Sequence, residues 1–144
     1  MSGVSIIRSI LAGNAAVLAV VPAARIVAGD VTINSPMPAL WIKEISSVPA
    51  FLPVDMADTP RLHTERVQVT ALLKGTEATP VGQGYPGVKA LLNLVLAACK
   101  NVHGTVGAIP DVDSVLPDIE GPDLSDAAIG LYTGSRDFIV KFNA

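Results

Sequence analysis

Apolar residues recur along this chain in two rhythms, and the rhythms divide it into elements. Val4, Ile7, Ile10 and Leu11 keep the three- and four-residue spacing of one helix face, which predicts an amphipathic helix over residues 3–13. Asn14 is placed to cap a short second helical stretch, residues 15–21, which Pro22 closes. Residues 25–28 read as a short apolar strand, and Gly29-Asp30 as a turn. After the extended Ser35-Pro36-Met37-Pro38, residues 39–46 give a strand holding Leu40, Trp41, Ile42 and Ile45. In residues 61–74 the period is two: Val67, Val69, Ala71 and Leu73 alternate with Arg66, Gln68 and Thr70, so one face is buried and one polar. A Gly/Pro-rich connection over 76–85 leads to Pro86, which suits a helix start. That helix carries Val88, Leu91, Leu92, Val95, Leu96 and Cys99 inside, runs to about Asn101 and ends at Gly104. Residues 105–109, 112–116 and 131–142 complete the strands, the last alternating Arg136, Phe138, Val140 and Phe142 with Asp137, Ile139 and Lys141. No internal repeat is apparent. This order predicts an α+β fold, two main helices packed on a largely antiparallel sheet.

Composition narrows the classes. At 144 residues the chain fits one domain with a real core, and 50% hydrophobic against 16% charged residues argues against disorder. Ten Lys and Arg against thirteen Asp and Glu give −3, which argues against a broad basic face gripping nucleic acid. Cys99 is the sole cysteine, so no intrachain disulfide forms, and its apolar setting predicts a buried thiol. Arg8 and the apolar run after it have a superficial leader look, but Gly13-Asn14 breaks the run and no small-x-small cleavage site follows. No uncharged apolar stretch reaches the roughly 18 residues of a membrane span.

Surplus apolar surface concentrates in residues 47–60. Pro49, Pro53 and Pro60 break this segment, yet it holds Phe51, Leu52, Val54 and Met56. Loops are normally polar, so it is either a loop folded back on the core or an arm packed on a neighbouring subunit. Charge is also uneven. Asp111, Asp113, Asp118, Glu120, Asp123 and Asp126 form a stretch with no Lys or Arg, carrying −6 and leaving +3 for the remainder. Read as an EF-hand from Asp111 it fails, because Leu116 replaces the turn glycine and Pro122 the bidentate glutamate. A solvated acidic loop is the expectation, one that could rim a negative surface in an assembly.

Little chemistry competes with this. Gly82-x-Gly84-x-x-Gly87 formally matches a dinucleotide fingerprint, but the preceding strand ends eight residues earlier, near Lys74, and no acidic residue follows until Asp111. His63 and His103 lack the paired spacing of a zinc site, and no nucleophile motif accompanies them. No catalytic, cofactor-binding or metal-binding residue set is expected.

Three segments carry a family resemblance. The first is the opening helix with Asn14-Ala15-Ala16-Val17-Leu18-Ala19-Val20-Val21 and then Ala24-Arg25-Ile26-Val27. The second is Pro36-Met37-Pro38-Ala39-Leu40-Trp41-Ile42, and the third pairs 66–71 with the closing 130–140. Over nearly its whole length the chain resembles the tail-completion, or tail-terminator, family of long-tailed bacteriophages and prophages. The apolar 47–60 segment and the acidic 111–126 segment exceed the family's minimal outline. The resemblance implies a non-enzymatic virion protein of one domain spanning residues 1–144, made in the bacterial host cytoplasm and assembling as a ring, typically a hexamer. Such a ring caps the head-proximal end of the tail tube, ends its polymerisation and offers a joining surface. The implied partners are further copies of the chain, the major tail tube protein, a head–tail connector or neck protein, and DNA passing through without sequence-specific contact. A head–tail connector or neck-ring component is the alternative within that system. An enzyme binding nucleotide at Gly82, Gly84 and Gly87 is the alternative from another class.

Overall fold

The computed structural model describes residues 2–29, 36–49, 62–75, 80, 82–126 and 128–143. The first helix, α1 (Gly3–Ala12), starts where Ser2 and Ser5 satisfy each other's backbone N–H in a capping box. Asn14 caps α2 (Ala15–Leu18), its Oδ1 accepting from the Val17 N–H at 3.1 Å. This helix is shorter than the 15–21 expected, and a 3-10 turn at Ala23–Arg25 then feeds β1 (Ile26–Ala28). The Met37–Pro38 peptide is cis, and β2 (Ala39–Pro49) follows directly. β2 therefore runs through residues 47–49, which the proline content had assigned to a loop; Pro49 stands only at the strand's last position.

β3 (Leu62–Lys74) and β6 (Leu131–Asn143) pair antiparallel along their whole length, from Leu62 opposite Asn143 to Lys74 opposite Leu131. Between them lie α3 (Gly84–Cys99), β4 (Val102–Val106) and β5 (Ile109–Glu120). α3 begins at Gly84, leaving Pro86 in the first turn, where its missing N–H costs no helical hydrogen bond. It does not end at Gly104. The chain reverses at Asn101, whose φ of 58° is one that asparagine tolerates, and Gly104 sits inside β4 at a break in register. The next turn is also displaced, because Val106 pairs with Ile109 around Gly107 and Ala108. Residues 105–109 and 112–116, expected as two strands, are thus the end of one strand, a hairpin turn and the middle of the next.

The strands form one sheet in the order β1-β2-β3-β6-β5-β4, parallel between β1 and β2 and antiparallel elsewhere. Period-two patterning gives the sheet a buried face of Leu40, Ile42, Val67, Val69, Ala71, Leu73, Phe138, Val140 and Phe142. Ile6, Ile7 and Leu11 of α1, Val17 of α2, and Val88, Leu91 and Val95 of α3 pack onto that face in one continuous core. Fully burying a side chain such as Phe138 stabilises the fold by about 1.5–3 kcal/mol, so this face dominates. The opposite face carries a much smaller apolar cluster, Met37, Ala39 and Leu72, flanked by Trp41 and Leu131. The fold is α+β, a mixed six-stranded sheet with its helices on one side.

Candidate functional site

The second face of the sheet is polar, and its centre is tied together. Gln68 and Asp137 are cross-strand partners, and the Gln68 amide donates to Asp137 Oδ1 at 3.1 Å. Arg66 Nε lies 3.9 Å from the other Asp137 oxygen, while its Nη2 donates to Asp118 Oδ2 at 2.5 Å. Side chains from β3, β6 and β5 are thereby joined across three neighbouring strands. Asp137 is only 5% exposed although none of the described helices covers this face, and these donors satisfy its carboxylate oxygens. Toward β2, the Lys43 ammonium lies over the Trp41 ring, 4.8 Å from its centroid.

The acidic stretch is not one loop. Asp111, Asp113, Asp118 and Glu120 lie on β5, and Asp123 and Asp126 follow in the segment that returns to β6. Alternation and register breaks on β5 disperse them. Asp118 is paired with Arg66 on the polar face, and Glu120 with Lys89 of α3. Asp111 and Asp113 are exposed near the β4–β5 turn. Asp123 is fully exposed, and hydrogen bonds from the Ser125 hydroxyl and backbone N–H hold its carboxyl below the usual aspartate value. Asp118 and Glu120 thus have cationic partners, while Asp111 and Asp113 sit toward one end of the strand and Asp123 and Asp126 beyond the other.

Phe51, Leu52, Val54 and Met56 lie outside the described residues. The strand leading toward them is informative, because residues 43–48 of β2 are all exposed, Ile45 at 48% and Val48 at 58%. β5 and the following segment add exposed Leu116, Ile119 and Leu124. Sequence reasoning placed the surplus apolar surface in 51–56 and missed these strand positions. An apolar residue in a strand reads as core unless the neighbouring strand's length is known.

The glycine-rich segment takes a structural part. Gly87 packs so closely that a Cβ there would stand 2.8 Å from Leu73 Cδ2 and 2.9 Å from the Gly82 carbonyl oxygen. The strand after α3 runs antiparallel to β3, as the chain of pairings from β3 through β6 and β5 to β4 requires. A dinucleotide fingerprint needs a parallel strand–helix–strand unit, which these elements do not form. Cys99 is buried, and desolvation pushes its thiol up to about 12, away from nucleophilic behaviour at neutral pH. The His63 ring stacks on Phe142 with centroids 5.5 Å apart, and His103 is exposed on β4. Among the described residues no three His, Cys, Asp or Glu side chains converge on a metal-binding position. Nor is any helix there long and apolar enough to cross a membrane.

No protein-family model and no curated protein matches the sequence. The fold is similar to that of a chain from the virion of a native gene transfer agent particle. That likeness has a TM-score of 0.60, covers 99% of this chain and 96% of the other, and rests on 10% sequence identity. The two chains share a fold along almost their entire lengths.

Proposed function

We propose that this chain is a structural protein of a phage-like virion, a tail terminator of a single domain that acts by shape and contact rather than by catalysis. The observation that carries the reading is the fold held in common, end to end, with a chain of a gene transfer agent virion. The sequence resemblance to tail-completion proteins points the same way, and so do the exposed apolar positions on β2 and β5. In this role copies of the chain assemble as a ring, a hexamer, on the head-proximal end of the tail tube. The ring stops tube growth and presents its free side to a head–tail connector or neck protein. Phe51, Leu52, Val54 and Met56 pack on a neighbouring subunit or on the tube. Exposed Asp111 and Asp113 form part of an acidic rim that keeps passing DNA from adhering.

Electron microscopy of tail tubes mixed with the purified protein tests this. The expected result is a ring of about six subunits at one end of each tube. Bare tube ends at saturating protein, with rings found only on isolated connectors, would move the assignment to the neck.

A further inference from the structure

Each outer edge of the sheet is stepped. β1 covers only the Leu40, Trp41 and Ile42 positions of β2, so residues 44–48 have no strand beyond them among the described residues. At the far edge β4 covers β5 only as far as Val115, leaving residues 116–120 uncovered. Register carried across the sheet locates the two gaps. Ala28 aligns in turn with Ile42, Val69, Arg136 and Glu120, so β1 stands level with the last residue of the gap on β5 and the two residues after it. Pro49 aligns with His63, Phe142, Val112 and then Gly104, and Ser47 with Glu65, Val140, Val115 and Val102, so β4 stands level with the far end of the gap on β2. The projecting strand of each edge thus meets the end of the other's recess, and each step is one strand deep, about 4.8 Å.

Side chains agree with the shape. Arg8 of α1 donates from Nε to the Ile26 carbonyl at 3.1 Å, which holds its guanidinium beside β1 with no carboxylate partner among the described residues. The opposite edge, just past β5, presents fully exposed Asp123. Where the two recesses meet, Ile45 lies beside Glu44, whose level across the sheet is Pro117. Leu116, 41% exposed, aligns through Ile139 and Arg66 with Ser46, the residue after Ile45. Pro117, which offers no N–H, falls between the reach of β1 and that of β4, where no donor is required of it.

We propose that successive copies of this chain join edge to edge through these complementary steps. β1 of one copy lies antiparallel along residues 120–122 of the next, and β4 of that next copy lies beside residues 47–49 of the first copy's β2. The inference rests on the ring reading above and names the joint that would make the ring. An open strand edge is a template for pairing, and these two edges fit each other rather than themselves. The contact is heterologous, so it propagates head to tail and closes into a ring when the rotation between copies allows.

Ala28→Cys and Glu120→Cys in one chain test the joint under copper-catalysed air oxidation. The expected product is a ladder of disulfide-linked multimers on a non-reducing gel. Either single variant alone should give no ladder, and an equal mixture of the two should give dimers. Buried Cys99 stays silent in folded protein. An independent pair, Arg8→Glu and Asp123→Arg, should each weaken assembly at least tenfold, with the double reversal restoring most of it. Rings that form normally yet give neither ladder nor rescue would overturn this joint and leave the ring reading standing. Wild-type protein that stays monomeric both alone and with tail tubes would overturn both.

Discussion

The backbone N–H of Gly3 donates to the carboxylate of Glu65, 2.5 Å away, at the point where α1 begins on the sheet. Glu65 belongs to β3 and is only 6% exposed, yet it occupies a position on the apolar face. Its charge meets the positive end of the helix dipole and one of the orphan N–H groups of the first turn. A Cβ on residue 3 would lie 2.6 Å from the carboxylate oxygen and 2.8 Å from Val67 Cγ2, so glycine is what lets helix and strand approach. Glu65→Ala should cost about 1–3 kcal/mol, through a buried N–H left unpaired. Gly3→Ala should cost a similar amount by overpacking, about 1–3 kcal/mol. Urea denaturation of each variant measures this, and wild-type midpoints for both would show that α1 does not depend on the contact.

α3 docks on β6 at another glycine. A Cβ at Gly134 would stand 2.7 Å from Val88 Cγ1 and 3.1 Å from Leu92 Cδ1, in the centre of the core. Gly134→Val should therefore destabilise by more than Gly134→Ala, which itself should cost about 1–3 kcal/mol. Thermal unfolding of the two variants checks the order, and equal melting temperatures to wild type would contradict the close helix–strand packing.

Burial of Cys99 makes its reactivity a gauge of opening. With the thiol pushed up to about 12, native protein at pH 8 should react with a thiol reagent only through unfolding, far more slowly than the same protein in denaturant. Rapid labelling of folded protein at pH 8 would place the side chain outside the core.

Asp123 supplies a pH signature. The Ser125 hydroxyl and N–H hold its carboxyl below 3.8, so the native state retains this charge as pH falls, down to the lowered value. Because the folded value is the depressed one, the contribution is present above the unfolded value and lost as acid passes through the folded one. Carbon-detected NMR titration of Ser125→Ala should show the Asp123 midpoint rising toward 3.8; no movement would remove the serine from this role.

Some elements were legible because one physical rule governed them. β3 and β6 occupy the sheet's centre with one face against the helices, so their alternation of apolar and polar residues survives in the sequence. β5 was not legible for the opposite reason. Register breaks between Val112 and Ser114 and between Pro117 and Glu120 shift its alternation, and its Asp and Pro content is that of a turn. Its acidic residues accordingly read as a loop, although Asp118 and Glu120 project from a strand toward Arg66 and Lys89. Glu65 was hidden by sequence distance, since the N–H it serves lies 62 residues earlier. The stepped edges were hidden as well, because a strand's free edge depends on where its neighbours stop. Phe51, Leu52, Val54 and Met56 drew attention instead because proline and apolar residues rarely mix in a loop.

Ending tube growth is the role proposed for this chain, and a polymerisation time course reads it out. Purified major tail tube protein is allowed to elongate from preformed tubes, and the chain is added at about six copies per growing end. Growth should stop at once, with final tube length set by the time of addition and unaffected by further soluble tube protein. Elongation that continues at an unchanged rate, even with the chain in large excess, would contradict the claim.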